Sequence, residues 1–290
     1  MKRTHSRIIW AMVFVAIAGV VGWLALRSGE KEPVYEGKSL GFWLGQMEDW
    51  NGDTNEAACV AFRAMGTNAI PALLNVVQSG GPPMQKMIME INQKQKLVDL
   101  PYGRPWERAM AATWALYVMG TNARPALPVL TNLFLHSNEM ITTSTVLAGI
   151  GSEGISPLLT ALTNQNYRVR FSAVSGLGWA RSDLDTVVPA LIARLADNTG
   201  IVQYAAAHSL GQLHAKPELA VPALMNSFSS NDALLRSSIM VALTQFGVAA
   251  KDAVPMIVAA LNDKDELVRM NAGFALKEID PEAAEKAGVK

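Results

Sequence analysis

The sequence predicts an all-α chain: a right-handed superhelical solenoid of about seven stacked antiparallel helix pairs, preceded by one transmembrane helix. Three observations carry this. The second half repeats at one fixed interval, the step from Leu177 to Leu210. Within each period the apolar residues fall at helical spacing. Glycine and proline recur at fixed places between those helical stretches.

The chain opens with Ile8–Leu26, an apolar run without a single charge. As a helix this run spans roughly 28 Å, close to the hydrocarbon thickness of a bilayer. Trp10 and Trp23 sit near its ends, where indoles favour the interface. A cleaved signal peptide is the rival reading. Its apolar run would be shorter, about 7–15 residues, and would end at a small-x-small site. Ala16-Ile17-Ala18 has that form but lies inside the run, which favours an uncleaved anchor. Lys2, Arg3 and Arg7 precede it, while Arg27 and Lys31 follow diluted by Glu30 and Glu32. This bias predicts a single-pass protein with the repeats outside the cytoplasm, in a bacterium the periplasm. Secretion after cleavage is the alternative.

Residues 1–27 are thus expected to form the anchor, 28–38 a polar tether broken by Gly29, Pro33 and Gly37, and 39–290 the repeat domain. In its first half MGTNAIPALLNVV (Met65–Val77) and MGTNARPALPVLTNL (Met119–Leu133) are near copies, set more than one period apart. The excess over one period predicts an insertion at about 80–103. Ile150-Gly151 through Leu162 forms a further unit with a shorter turn.

The later units keep strict register. Leu177, Leu210, Leu243 and Leu276 are equally spaced, and Val169, Val202, Leu235 and Val268 keep the same interval. So do Pro189, Pro222 and Pro255. Val169, Ala173 and Leu177 share one face of a first helix. A second helix is expected to open at each proline, where the missing N–H costs nothing. Glycines gather in the turns: Gly66, Gly120, Gly151, Gly178, Gly211 and Gly247. Asp280-Pro281-Glu282 caps a short polar terminal helix ending at Gly288, suited to a stack with nothing beyond it.

Asp232–Leu243 and Asp265–Leu276, each followed by or aligned with a VP-x-[LI] segment, resemble HEAT repeats, and in particular the short HEAT-like units also found in phycobilin lyases. The resemblance covers roughly residues 54–280. The block Tyr35–Met47 is similar to a leader found before HEAT repeats in some bacterial membrane-anchored proteins. The resemblance implies the solenoid fold. It also implies one enzymatic alternative, a chromophore (bilin) lyase.

Composition limits the functions further. Half the chain is hydrophobic and 25 basic residues balance 25 acidic ones. Residues 1–31 hold five basic residues and one acidic, so the remainder carries 20 and 24, a net of −4. This disfavours nucleic acid as a partner. A lone cysteine, Cys59, excludes an internal disulfide and any zinc site of paired cysteines. It reads as a small core residue.

No catalytic, cofactor or metal constellation is recognised. His208 and His214, six apart, do not share a helical face. His136 reads as a cation at a helix end. The acidic groups Asp183/Asp185 and Asp263/Asp265/Glu266 read as turn and cap residues, without the pattern of a calcium loop. Gly149-x-Gly151 and Gly176-x-Gly178 read as helix ends. Arg170, Arg236 and Arg269 occupy equivalent positions, with Gln203 in the series. Each follows a cap residue by four, Asn166, Asp232 and Asp265, which points to a stacking role.

The expected function is a non-enzymatic, membrane-anchored scaffold for a protein or peptide. Its inner surface is expected to be lined by the second helices. The insertion supplies candidate contacts: Met84, Met87, Lys94 and Lys96, with Tyr102 and Trp106 closing it. Methionine-rich stripes suit adaptable binding, and a helix packed back on the solenoid is the structural alternative.

Overall fold

The computed structural model describes residues 32–48, 55–79, 105–136 and 140–289. The expected anchor and nearly all of the expected insertion lie outside these residues.

The polar stretch expected as a tether ends in a hairpin. Strands β1 (Val34–Tyr35) and β2 (Lys38–Ser39) pair antiparallel across Glu36 and Gly37, both at positive φ. Helix α1 (Leu40–Glu48) follows. The hairpin packs on it through Trp43, whose Nε1 donates to the Tyr35 carbonyl at 3.3 Å.

From there the chain is a succession of helix pairs. They are α2 (Glu56–Met65) with α3 (Ile70–Ser79), α4 (Pro105–Met119) with α5 (Leu127–His136), and α6 (Met140–Ile150) with α7 (Ser152–Ala161). The regular register then gives α8 (Tyr167–Leu177) with α9 (Leu184–Arg194), α10 (Gly200–Leu213) with α11 (Pro217–Ser227), and α12 (Ala233–Phe246) with α13 (Val254–Ala260). Helix α14 (Glu266–Ile279) and the short α15 (Pro281–Lys286) close the chain.

The caps explain why the first helices start where they do. Asn166, Asp232 and Asp265 are extended, and their side chains accept from the backbone N–H groups of Arg168, Leu234 and Leu267. Asp280 does the same for Ala283, with Pro281 in the first turn and Gly288 at φ 73° after the end.

Second helices differ from expectation. Helix α9 begins five residues before Pro189 and α11 five before Pro222, so the proline sits inside rather than at the start. Helix α13 does open at its proline, after a 3-10 turn (Gly247–Ala253), as α3 does at Pro71. The earlier start lets Val187, Val188, Ala220 and Val221 enter the core.

The glycines divide in two. Gly66, Gly120 and Gly247 end first helices at φ near 55°, where a side chain would be strained. Gly178 and Gly211 have helical conformation instead. Each faces the next first helix: a Cβ on Gly178 would lie 2.9 Å from the Ser209 Cβ, and one on Gly211 2.8 Å from the Ala242 Cα. These glycines are there for close helix approach rather than for a turn.

The equally spaced apolar columns form the core. Leu177, Leu210, Leu243 and Leu276 are fully buried between first and second helices. First helices also pack side by side through small residues. The Ser209 hydroxyl donates to the Val174 carbonyl at 3.0 Å, and Asn271 donates to the Ser237 hydroxyl at 2.8 Å. Neighbouring second helices meet at far fewer points. Such a stack is narrower on the first-helix side.

Two described stretches, Glu56–Gln78 and Ala233–Ala260, are long and apolar enough to cross a membrane by length and composition. Each is a helix pair broken at Gly66 or Gly247 and packed into the stack.

Candidate interaction surface

Two of the three equivalent arginines, Arg170 and Arg236, bridge successive repeats, through partners other than their own cap residues. Arg170 makes a bidentate pair with Asp197, at 2.9 and 2.8 Å, and donates to the Asn164 carbonyl. Arg236 grips Asp263 in the same way, at 2.8 Å to each oxygen. In both cases the partner lies downstream, in the loop that opens the next unit. Arg269 donates to the carbonyls of Asp263 and Lys264, and Gln203 to that of Asp197.

Both pairs are almost fully buried. Burial pushes the Asp197 carboxyl up, but the Arg170 hydrogen bonds, the Thr199 amide and the Arg170 and Arg194 charges together hold it below the usual carboxylate range. The Arg236 hydrogen bonds hold Asp263 below it too, against a smaller effect of burial. An open depression of about 530 Å³ beside Arg170 is therefore walled by a guanidinium already turned toward the protein.

The exposed apolar residues that recur in register lie on the first helices, while those on second helices, Leu135, Leu219 and Val258, stand apart. In α10, Val202, Ala206 and Leu210 face the core and are fully buried. Residues one position off that face point away from it. There stand Ile201 in α10, Leu234 in α12 and Leu267 in α14, each about half exposed and each one period from the last. Met270 and Phe274, one and two turns along α14, are half exposed as well, and Val241 occupies in α12 the place of Phe274. Because successive first helices are neighbours, these six residues form one strip. The Asp232 carboxylate lies between Ile201 and Leu234, beside Gly200.

An aromatic cluster links α4 and α8. Trp179, just after α8, meets Trp114 and Tyr117 of α4 edge-on, with ring centroids 5.0 and 5.9 Å apart. Helix α6 lies between those two helices, and the Tyr117 ring crosses it over Gly149, where an added Cβ would collide with that ring. Tyr117 donates from its hydroxyl to the Trp179 carbonyl at 3.3 Å. Arg181 lies over the Tyr117 ring, 3.9 Å from its centroid, and its Nε donates to the same hydroxyl at 3.0 Å.

The remaining sequence candidates separate. Met84, Met87, Lys94, Lys96 and Tyr102 lie outside the described residues. Trp106 is the second residue of α4, its side chain also outside them. His208 stacks on Tyr204 and His214 meets Phe246 edge-on, so the two imidazoles have different neighbours. His136 bonds through Nδ1 to the Asn132 carbonyl. Asp183 stands in left-handed conformation before α9, and hydrogen bonds from Ser152 and Ser182 hold its carboxyl below the usual range. Cys59 is buried, which pushes its thiol up. Among the described residues no group of three or more His, Cys, Asp or Glu could hold a metal ion.

Part of the chain matches models of known repeats. Residues 140–211 and 155–244 match a family model of HEAT repeats, and residues 253–281 match a single HEAT repeat. A comparison with curated proteins finds no match. Among solved structures, Kap121p bound to Nup53p is 15% identical over 86% of this chain and 30% of its own, with a TM-score of 0.49. The CpcE–CpcF complex of phycocyanin lyase from Nostoc sp. is 19% identical over 90% and 97%, with a TM-score of 0.38. Human deoxyhypusine hydroxylase is 16% identical over 83% and 96%, with a TM-score of 0.37. At these identities the likeness concerns fold alone, and this chain spans under a third of Kap121p.

Proposed function

We propose that this stack of HEAT repeats is a protein-interaction module, held at a membrane by residues 8–26, that receives a segment of a partner polypeptide on its first-helix face. The observation that carries the reading is the strip from Ile201 through Leu234 to Leu267, widened by Val241, Met270 and Phe274. Scattered exposed apolar residues are normal on any protein, whereas a row held in register by the fold marks a contact surface. The second helices support the same choice of face by contrast. Their exposed positions include the polar or small residues Asp185, Thr186 and Ala193, and isolated apolar ones such as Leu219.

A solenoid presents such a surface without a deep pocket, which suits an extended or helical segment better than a small molecule. The buried Arg170–Asp197 pair ties α8 to the loop before α10, and the Arg236–Asp263 pair ties α12 to the loop before α14.

The experiment places a photoreactive amino acid at Phe274 on the strip and, separately, at Pro222 on a second helix, in the intact protein in its native membrane. Crosslinks from position 274 that disappear on Leu234→Asp are the expected result. Crosslinks from position 222 alone, unaffected by that substitution, would move the interface to the other face.

A further inference from the structure

The row of exposed apolar residues has a charged end. One period before Ile201 stands Arg168, at the same position on α8. Arg168 is exposed, and its guanidinium makes one long contact, from Nε to the Tyr167 hydroxyl at 3.5 Å. No carboxylate among the described residues forms an ion pair with it. The opposite end of the row is acidic. Glu266 stands immediately before Leu267 and Asp265 caps the same helix, while Asp232, the cap of α12, lies within the row. Across four stacked helices the column itself runs from a cation, Arg168, through three apolar positions, with Glu266 beside the last.

Resting on the interface reading above, we infer that the partner segment is extended, carries an acidic group at its α8 end, and follows it with apolar side chains at every third residue. The spacing comes from geometry. Packed helices lie about 8–10 Å apart, so three intervals cover roughly 24–30 Å. A chain in polyproline II conformation advances about 3.1 Å per residue with three residues per turn. One residue in three then falls over each helix of the row with its side chain on the same face. A carboxylate at the α8 end meets Arg168, while a basic group there would meet repulsion, so charge fixes register and direction more than it adds affinity.

The test uses the intact protein in detergent micelles at low salt and two labelled synthetic peptides, read by fluorescence anisotropy. Both carry three leucines separated by pairs of serines. One begins with two glutamates and the other with two serines. The glutamate peptide should bind about threefold to fivefold more tightly, the range of an exposed ion pair. Arg168→Glu should abolish or invert that preference and leave the serine peptide unchanged, and Arg168→Lys should keep most of it. Equal affinity for the two peptides, or a preference that survives Arg168→Glu, overturns the acidic end while the apolar face stands. Failure of both peptides to bind, or indifference of both to Leu234→Asp, overturns the face itself and the inference with it. Self-association in sedimentation that Leu234→Asp dissolves would give the row to a second copy of the chain, and would also overturn the inference.

Discussion

Arg170 and Asp197 belong to successive units yet stand 2.8 Å apart, and Arg236 and Asp263 reproduce that relationship two units later. Each arginine leaves the first helix of its own unit and closes on the loop that opens the next. The donors left over reach backbone carbonyls such as those of Asn164 and Ser230. A buried charge so fully paired is neutral to modestly useful as a pair, but removing one member strands the other.

Arg236→Met should therefore cost about 3–5 kcal/mol, because it leaves Asp263 buried without its cation. Replacing both residues together with apolar side chains should cost much less. Urea unfolding of the single and double variants measures the difference. A double variant as damaged as Arg236→Met would show that the site needs the charges themselves.

The same pairs set an acid limit. Asp197 and Asp263 are held below the ordinary range when folded and titrate near 3.9 when unfolded. Their stabilisation is complete above the unfolded value and is lost as pH falls through the folded one. Melting temperature should thus fall below about pH 4, and Asp263→Asn should start lower and fall less steeply. A variant that keeps the full acid slope would place the titrating groups elsewhere.

Leu243 is fully buried between α12 and its neighbours. Leu243→Ala should cost roughly 2–5 kcal/mol. Hydrogen exchange should rise in α10, α12 and α14 and leave α2 nearly unchanged, because units contact their neighbours. Equal loss of protection at both ends would contradict a linear stack.

Gly149→Ala should push the Tyr117 ring out of contact with Trp179, at a cost of about 1–3 kcal/mol for overpacking. The near-ultraviolet circular dichroism of the Trp114–Trp179 pair should weaken in step with stability. An unchanged aromatic spectrum would mean that the cluster tolerates the extra carbon.

For the membrane reading, alkaline phosphatase fused after Lys290 should be active. An inactive fusion, with an active cytoplasmic reporter at the same point, would reverse the proposed orientation.

Periodicity made much of the fold legible. Leucines one period apart can be buried alike only if the units stack, and Asn166, Asp232 and Asp265 announce helix starts through the hydrogen bonds they accept. The arginine partners were harder to read, because Asp197 and Asp263 become neighbours only after the chain has turned through a second helix. The exposed strip was present in the same columns. Ile201, Leu234 and Leu267 directly precede the buried Val202, Leu235 and Val268, and adjacent apolar columns look alike until the packing decides which one faces inward. The bypass over Gly149 left no signal, since one glycine in a helix is compatible with many causes.

That bypass changes how the ribbon can bend. In a strictly linear stack every junction flexes independently, like links of a chain. Trp114 meets Trp179, and the Tyr117 ring crosses α6 to hydrogen-bond to the Trp179 carbonyl, so the α4-to-α8 block cannot flex at α6 without separating those rings. That block acts as a splint. Compliance under load is left to the junctions on either side of it, and the apolar row from α10 to α14 belongs to the segment that can still adjust its curvature.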